Sequence, residues 1–387
     1  MFKYLLVGGN FGDEPKESGY IRKLFDVMRA INPNGILMNG GKFEDLNIHK
    51  LPSPSKPFEG KATYVDEGPS KYDVIFWMPS ISNKEKKLVG LIKQAAPRTL
   101  LVTSKNNFKG KYSFLELISR ALKIKANLFL EFTDQQGKVL TCIYDPLGNR
   151  YCQTVNINRV ATTLMNRIQE LLRYTRYGSR ILSNRTDLGH HLKKASLKIP
   201  DIDKDFYDLI KGYANKFHEC IHGSGEVTRL LGNASFRCER GFPSFMGDNG
   251  QIYVSRRNID KRHVDPEGFV PVKMMVNDVL KKGVVAYYGD HKPSVDAPIH
   301  LLLYSYYKQM KYMIHSHTYV ENAPFTAINI PCGAVEEFYE IIRFNSNRNM
   351  DNIAMNLKGH GSIVMASRTT LLKDIKYYPR EQPENVY

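Results

Sequence analysis

Hydrophobic and polar positions in the first 150 residues follow two alternating patterns. Short apolar runs, which are typical of buried strands, are followed by stretches whose apolar residues recur at helical spacing. The predicted strands are KYLLVGG, GILMNG, YDVIFWMP and RTLLVTSK, and the predicted helices are YIRKLFDVMRAI, KEKKLVGLIKQA and FLELISRALKI. Strands that alternate with helices form βαβ units. This part is therefore predicted to be a Rossmann- or flavodoxin-like α/β domain, with a parallel sheet and helices on both faces.

A hairpin and a long helix follow these units. The run LFLEFTDQQGKVLTCIYD predicts an antiparallel edge hairpin that turns near Gln136-Gly137. Residues 156–185 have apolar positions at helical spacing and many arginines, which predicts a long basic helix. We therefore divide the chain into a Rossmann-like basic domain at 1–155, a basic helix and linker at 156–198, a second domain at 199–376 and a polar tail at 377–387.

Charge is distributed unevenly along the chain. Residues 1–200 carry 32 Lys and Arg against 17 Asp and Glu, whereas residues 201–387 carry 23 against 22. The basic first half could be a solvated surface, or it could bind an anionic partner such as a nucleotide or a nucleic acid. The glycines of GGNFG, Gly8, Gly9 and Gly12, follow the first predicted strand. They could form an anion-binding loop before a helix, or serve only a tight strand-to-helix turn.

Cysteine usage and hydropathy indicate the cellular compartment. The five cysteines show no C-x-x-C spacing and are odd in number, which argues against a disulfide scaffold or a cysteine zinc site. The start of the sequence lacks the apolar core of a signal peptide. No apolar run approaches the roughly 20 residues that cross a bilayer. We predict a cytoplasmic protein that makes no membrane contact.

Three histidines in the second half are candidate metal ligands. His315 and His317 are two residues apart on the predicted strand YMIHSH, so both side chains should point to the same face. Such a pair could be two ordinary core histidines or two ligands of one Zn²⁺. His360 stands between two glycines, which leave room for close backbone approach and for a ligand in front of the ring. This third histidine favours a metal site over two ordinary core histidines. Three histidines would leave the fourth position of a catalytic zinc open.

Three stretches in this half together resemble the class II aldolase/adducin superfamily of zinc-dependent sugar-phosphate enzymes. They are KPSVDAPIHLLLY, IHSHT and NLKGHG, and the resemblance covers about residues 200–375. It implies an α/β/α domain with a central antiparallel sheet, and a homotetramer. It also implies Zn²⁺ or another divalent metal bound by His315, His317 and His360. The implied activity is that of a lyase or isomerase that acts on an anionic sugar through an enediolate stabilised by zinc.

The resemblance also assigns two carboxylates. Asp296 matches a position that is glutamate in the aldolases and aspartate in the epimerases, which favours the epimerase-like branch. It could instead cap the helix that follows. Glu336 matches the acid/base residue, and the adjacent Glu337 is the alternative.

The implied phosphate pocket matches the family only in part. Gly232, Asn233 and Ser235 fit its G-N-x-S turn, and Ser294 is a phosphate contact or a helix cap. Arg256 and Arg257 replace a stretch of small residues. They can bind a phosphate bidentately, although they would change which substrate fits. Two other functions stay open: a non-catalytic adducin-like assembly, and an anion- or nucleotide-binding protein.

Overall fold

The structure is a computed structural model. It describes residues 1–46, 72–81, 99–124, 126–177, 180–181, 204–219, 231–238, 251–257, 259–277, 282–287, 291–330, 333–378 and 384–385. The chain separates into unit 1, Met1–Arg173 with Glu381–Tyr387, and unit 2, Tyr174–Arg380. The helix predicted from KEKKLVGLIKQA and the domain boundary predicted at residue 199 lie outside the described residues.

Unit 1 is an α/β unit built on one mixed sheet. Its helices are α1 (Gly19–Ile31), α2 (Phe114–Lys123) and α3 (Ile157–Tyr177), whose last residues from Tyr174 on are assigned to unit 2. Its strands are β1 (Tyr4–Phe11), β2 (Gly35–Gly41), β3 (Val74–Trp77), β4 (Leu100–Asn106), β5 (Leu128–Gln135), β6 (Lys138–Tyr144), β7 (Asn149–Thr154) and β16 (Glu384–Asn385). The sheet order is β16-β7-β6-β5-β4-β3-β1-β2, and β2-β1-β3-β4-β5 are parallel. The predicted α/β class and parallel sheet are confirmed.

The predicted hairpin is present, but it is not the edge of the sheet. Gln136 (φ 53) and Gly137 (φ 78) form its turn, and two consecutive positive φ angles are what a tight type I′ hairpin turn requires. The prediction of an edge position is wrong, because β7 pairs with β6 and β16 pairs with β7.

Two amphipathic helices contribute to one core of unit 1. Helix α1 buries Ile21, Leu24, Phe25 and Met28, and its N-cap Ser18 accepts a hydrogen bond from the Ile21 amide. Helix α3 buries apolar side chains in the same core (Val160, Ala161, Leu164, Met165, Ile168 and Leu172). The helix predicted as a basic connecting segment thus has a buried apolar face in unit 1.

The glycines of GGNFG lie further inside the strand than the sequence predicts. Strand β1 continues to Phe11, so Gly8 and Gly9 belong to it. A Cβ at Gly8 would lie 2.4 Å from Cγ2 of Ile21, where α1 packs on the strand. Gly9 has φ +76, and a Cβ there would lie 2.5 Å from the Gly40 amide nitrogen. Both positions therefore need glycine for packing.

Unit 2 is built on a second sheet. Its helices are α4 (Lys204–Glu219), α5 (Ala297–Tyr306) and α6 (Glu336–Phe344). Its strands are β8 (Arg180–Ile181), β9 (Leu231–Cys238), β10 (Gln251–Ser255), β11 (Phe269–Asn277), β12 (Lys282–Tyr287), β13 (Tyr312–Ser316), β14 (Asn352–Leu357) and β15 (Gly361–Ala366). The order is β14-β15-β13-β9-β10-β11-β12-β8. All neighbours are antiparallel except β12 and β8, as expected for the predicted antiparallel sheet.

Strand pairing in unit 2 brings distant segments together. Strand β13 lies between β9 and β15, and His315 pairs with Asn233 on one side and Ile363 on the other. The turn that joins β14 to β15 contains His360. The register therefore places three separate segments of the chain around the end of β13.

Within the described residues, no helix combines the length and apolar character that a membrane span needs.

Candidate metal centre

Three histidines converge at the end of β13. His315 is in the strand, His317 follows it directly, and His360 lies in the turn before β15. One ring nitrogen from each lies within 4.8 Å of the other two. The ring centroids of His315 and His360 are 4.5 Å apart, and those of His315 and His317 are 5.0 Å apart. A tetrahedral zinc ion holds its ligand nitrogens about 3.4 Å apart, so the three rings are grouped on the scale of a single ion.

Hydrogen bonding and burial prepare His315 as a ligand. Its Nδ1 donates to the carbonyl oxygen of Ser362 at 2.9 Å, so the lone pair is on Nε2. This Nε2 is buried and has no hydrogen-bond partner. Burial lowers the pKa of His315 to about 3, and nearby His360 adds to that effect. The imidazole is therefore neutral, as a metal ligand must be.

Glu337 orients His360. Its Oε1 lies 2.7 Å from Nδ1 of His360, and both side chains are almost fully buried. A carboxylate that accepts from Nδ1–H leaves Nε2 of the imidazole as the ligand atom. Burial raises the pKa of Glu337, and the interaction with His360 opposes that shift. This arrangement matches the carboxylate–histidine pairs that support metal ligands.

Glu336 has different surroundings from its neighbour. It is the first residue of α6, and its Oε2 is buried without a hydrogen-bond partner. Of the two adjacent carboxylates, Glu337 is hydrogen-bonded to a histidine of the cluster and Glu336 keeps an oxygen available. The pair was visible in the sequence as AVEEF, but the difference between the two residues was not.

Asp296 is directed toward the histidines. Its Oδ2 is 3.9 Å from Nε2 of His315, and it accepts a hydrogen bond from Asn233 Nδ2 at 2.6 Å and one from Ser294 Oγ at 3.3 Å. Asp296 is the residue before α5, yet its side chain makes no capping hydrogen bond. The carboxylate is held beside His315 by two neutral donors, and the capping alternative does not describe it.

Gly232 leaves space for the imidazoles of His315 and His317. A Cβ at this position of β9 would lie 2.4 Å from Cδ2 of His315 and 3.0 Å from Nε2 of His317. Gly361, with φ +143, is equally constrained, because a Cβ there would lie 2.0 Å from the carbonyl oxygen of Ser316. The imidazoles thus pack directly on backbone that carries no side chain.

The residues predicted to bind phosphate are in two places. Asn233 and Ser294 lie against Asp296, and Asn233 Nδ2 also donates to Ser294 Oγ at 3.0 Å. Ser235 is further along β9. The predicted G-N-x-S turn is wrong, because Gly232, Asn233 and Ser235 all lie in this strand. The Ser235 hydroxyl lies 2.7 Å from Nδ1 of His300 and 3.1 Å from the Tyr304 hydroxyl, so it joins β9 to α5.

The two arginines adjoin the segment that leads to Asp296. The Arg257 amide donates to the Lys292 carbonyl at 2.9 Å, and the Ser294 amide donates to the Ser255 carbonyl at 3.1 Å. Arg256 forms an isolated bridge with Pro293, and its Nε is buried without a hydrogen-bond partner. The structure therefore brings Arg256 and Arg257 close in space to Ser294.

Asn329 was not found from the sequence. It is 8% exposed, and neither polar atom of its amide has a hydrogen-bond partner. A Cβ at Gly359 (φ +73), the residue before His360, would lie 2.6 Å from its Nδ2. No local pattern identifies Asn329, because its position depends on the turn between β14 and β15.

One family model matches part of the chain. Residues 216–370 match the Class II Aldolase and Adducin N-terminal domain. No curated protein matches the chain. Among solved structures, L-fuculose 1-phosphate aldolase is 16% identical (TM-score 0.30, covering 44% of this chain and 81% of that one). YgbL from Escherichia coli, a putative aldolase/epimerase/decarboxylase, is 16% identical (TM-score 0.28, 45% and 94%). The DNA/pantothenate metabolism flavoprotein from Streptococcus pneumoniae is 11% identical (TM-score 0.30, 43% and 97%).

Proposed function

We propose that unit 2 is a metal-dependent lyase or isomerase, because residues 216–370 match the Class II Aldolase and Adducin N-terminal domain. Its substrate would be a phosphorylated or otherwise anionic sugar. The observation that carries the proposal is the grouping of His315, His317 and His360 within 4.8 Å, with the Nδ1 atoms of His315 and His360 already hydrogen-bonded.

The three histidines would hold Zn²⁺ or another divalent ion. When bound, such an ion supplies Lewis-acid chemistry, in which a substrate oxygen is polarised and its developing negative charge is stabilised. The buried Nε2 of His315, which has no hydrogen-bond partner, and the side-chain-free backbone at Gly232 both fit this role. Glu337 would act as a positioning residue through His360.

We assign proton transfer to Glu336. A general acid or base needs an oxygen that is not already committed to the protein, and Oε2 of Glu336 has no hydrogen-bond partner. Asp296 would be the second carboxylate at the reacting centre, since it is 3.9 Å from Nε2 of His315. The hydrogen bonds from Asn233 and Ser294 would hold its carboxylate in this orientation.

The substrate anion would be bound beside Asp296. Arg256 and Arg257 adjoin Ser294, and a guanidinium can bind a phosphate or a carboxylate through two parallel hydrogen bonds. Two long cationic side chains replace small residues here. They favour a substrate whose anionic group lies further from the reacting carbons than a pocket of small residues would allow.

Metal content tests the proposal most directly. Elemental mass spectrometry on the purified full chain should find about one divalent ion per chain. The His317→Ala variant should lose it, and His263→Ala, which removes an exposed histidine elsewhere in unit 2, should retain it. A wild-type protein that takes up no metal after Zn²⁺ is added would contradict the proposal and favour the non-catalytic adducin-like alternative.

The reaction would be identified on the metal-loaded protein. Phosphorylated and carboxylated sugars should be screened for aldol cleavage, epimerisation, dehydration and decarboxylation. A turnover that is lost in both His317→Ala and Glu336→Gln would assign the reaction to this centre. Turnover that persists in His317→Ala would contradict it.

We further propose a cytoplasmic homotetramer, which the family resemblance supports. Light scattering on the full chain would measure four times the monomer mass of 44.4 kDa.

A further inference from the structure

Unit 1 contains a cleft of about 410 Å³ at the carboxyl ends of β1, β3 and β4. All the residues that line the cleft belong to unit 1, whereas the three histidines belong to unit 2. Strand order reverses here: the chain passes from β1 to β2 on one side and returns to β3 on the other. In open α/β sheets, ligands bind in the crevice beside such a reversal. The volume falls within the range of about 300–1,000 Å³ that small-molecule sites occupy.

The cleft is positively charged. Lys16, Lys105 and Arg120 line it, and among the described residues none of these cations is within 4.0 Å of a carboxylate. Glu17 also lines the cleft, but its Oε1 is paired with Arg22 at 3.0 Å. Lys105 Nζ lies 4.6 Å from the centroid of the Tyr112 ring, whereas Lys16 and Arg120 have no carboxylate partner among the described residues. Lys16 and Arg120 could therefore pair with an anion in the cleft.

Backbone polarity adds to this charge. The N-terminal end of α1, at Ser18 and Tyr20, lines the cleft, and the first turn of the helix contains no acidic residue. The partial positive charge of a helix N-terminus favours phosphate.

One of the residues that line the cleft has a buried polar atom without a hydrogen-bond partner. Thr103 on β4 is 4% exposed, and its hydroxyl makes no hydrogen bond within the protein. Leaving such a group unpaired costs about 1–3 kcal/mol, and a ligand that hydrogen-bonds to Oγ1 would recover it. This hydroxyl is a second observation that points to a ligand, separate from charge and helix orientation.

The remaining lining is apolar and aromatic. Trp77 and Phe132 are buried in the wall, and Phe108 lines the cleft while 49% exposed. An exposed ring beside a cationic cleft offers a flat surface on which a planar group can stack. The ligand should therefore combine an anionic group with a planar ring.

We propose that this cleft is a binding site for a nucleoside phosphate. The phosphates lie between Lys16, Arg120 and the N-terminus of α1, Thr103 hydrogen-bonds to the ligand, and the base packs against Phe108. Gly9 lines the same cleft. The GGNFG segment thus contributes one glycine to the site rather than a phosphate loop.

Isothermal titration calorimetry on the full chain tests the proposal. The ligands are ATP, GTP, CTP and UTP, each titrated to about 1 mM and compared with inorganic tripolyphosphate. We expect at least one nucleotide to bind one per chain, at least about tenfold more tightly than tripolyphosphate, because the base contributes stacking. No binding by any of the four would overturn the proposal. Equal binding of tripolyphosphate would overturn the assignment of a nucleoside.

Variants locate the site. Lys16→Gln and Arg120→Gln should each weaken binding about tenfold, since hydrogen bonds to charged groups contribute that much. The control Lys23→Gln removes an exposed cation from α1 outside the cleft and should bind like the wild type. If both cleft variants also bound like the wild type, the nucleotide would lie elsewhere and the proposal would be wrong.

Thr103→Val separates a ligand contact from a structural role. Because the hydroxyl has no partner in the protein, its replacement by a methyl group should leave the Tm unchanged or raise it, while nucleotide binding weakens several-fold. Unchanged nucleotide binding would contradict the assigned contact.

His317→Ala should bind nucleotide normally, so failure of the metal proposal and failure of this one are distinguishable.

Discussion

Nδ1 of His360 lies 2.7 Å from Oε1 of Glu337, and both side chains are shielded from solvent. The adjacent Glu336 is the first residue of α6, the helix that also contains Glu337. Its Oε2 has no hydrogen-bond partner. The two consecutive carboxylates therefore have different surroundings. In the proposed centre, Glu337 would orient a ligand and Glu336 would transfer a proton.

Glu337→Gln should weaken metal binding about 10- to 100-fold, because a neutral amide supports the imidazole less well than a carboxylate does. Glu336→Gln should keep the metal and lower turnover about 10²- to 10⁴-fold, as expected for loss of a general acid or base. Metal titration with a chelating competitor and steady-state kinetics measure the two effects. If Glu336→Gln lost metal and Glu337→Gln did not, the assigned roles would be reversed.

Gly232→Ala should abolish metal binding. Its new Cβ would lie 2.4 Å from Cδ2 of His315, so the imidazole must move. Gly212→Ala is a matched control on an exposed helical glycine with no atom within 4 Å of the added Cβ. The control should keep the metal and gain about 0.5–1 kcal/mol of stability. Full metal occupancy in Gly232→Ala would show that the histidines are not held as described.

Asp296→Ala should retain the metal, because the three histidines remain, and should lose most of the activity. Asp205→Asn, which neutralises a largely exposed carboxylate on α4, serves as the control and should behave like the wild type. Metal content and turnover measured on the same preparations distinguish the outcomes. Loss of the ion from Asp296→Ala would instead make this carboxylate a required ligand.

Stability should fall as the pH is lowered from 6.5 toward 4. Burial lowers the pKa of His300 to about 4, whereas in the unfolded chain it is near 6.5. Between these values the unfolded state binds the proton and the folded state does not, so acid favours unfolding. Each such group contributes a slope of up to about 1.4 kcal/mol per pH unit.

His300→Gln tests this dependence, since glutamine does not titrate. Urea unfolding of the metal-free protein at pH 4.5, 5.5 and 6.5 should show a shallower pH dependence in the variant. His263→Gln, at an exposed position, should keep the wild-type slope. Identical slopes in His300→Gln and the wild type would mean that the pKa of His300 is the same in the folded and the unfolded state.

Local patterns predicted much of the fold. Alternating strand and helix periods predicted the parallel sheet of unit 1, because backbone pairing and burial impose those periods. Gln136-Gly137 predicted a turn that the structure contains, since the sequence chemistry of a tight turn is local. The edge position of that hairpin was predicted wrongly, because β7, which was not identified as a strand from the sequence, pairs with β6, and β16 pairs with β7 in turn.

Sequence alone determined which residue types are available for chemistry: H-x-H, a histidine between glycines, a PSVD segment and adjacent glutamates. Tertiary structure decided their geometry. Strand pairing brings Asn233, His315 and the β14–β15 turn together, and it selects Glu337 as the partner of His360. The cleft of unit 1 was likewise hidden, because its cations come from separate segments around residues 16, 105 and 120. Periodicity is a property of neighbours along the chain, whereas a binding site needs groups that only long-range packing makes adjacent.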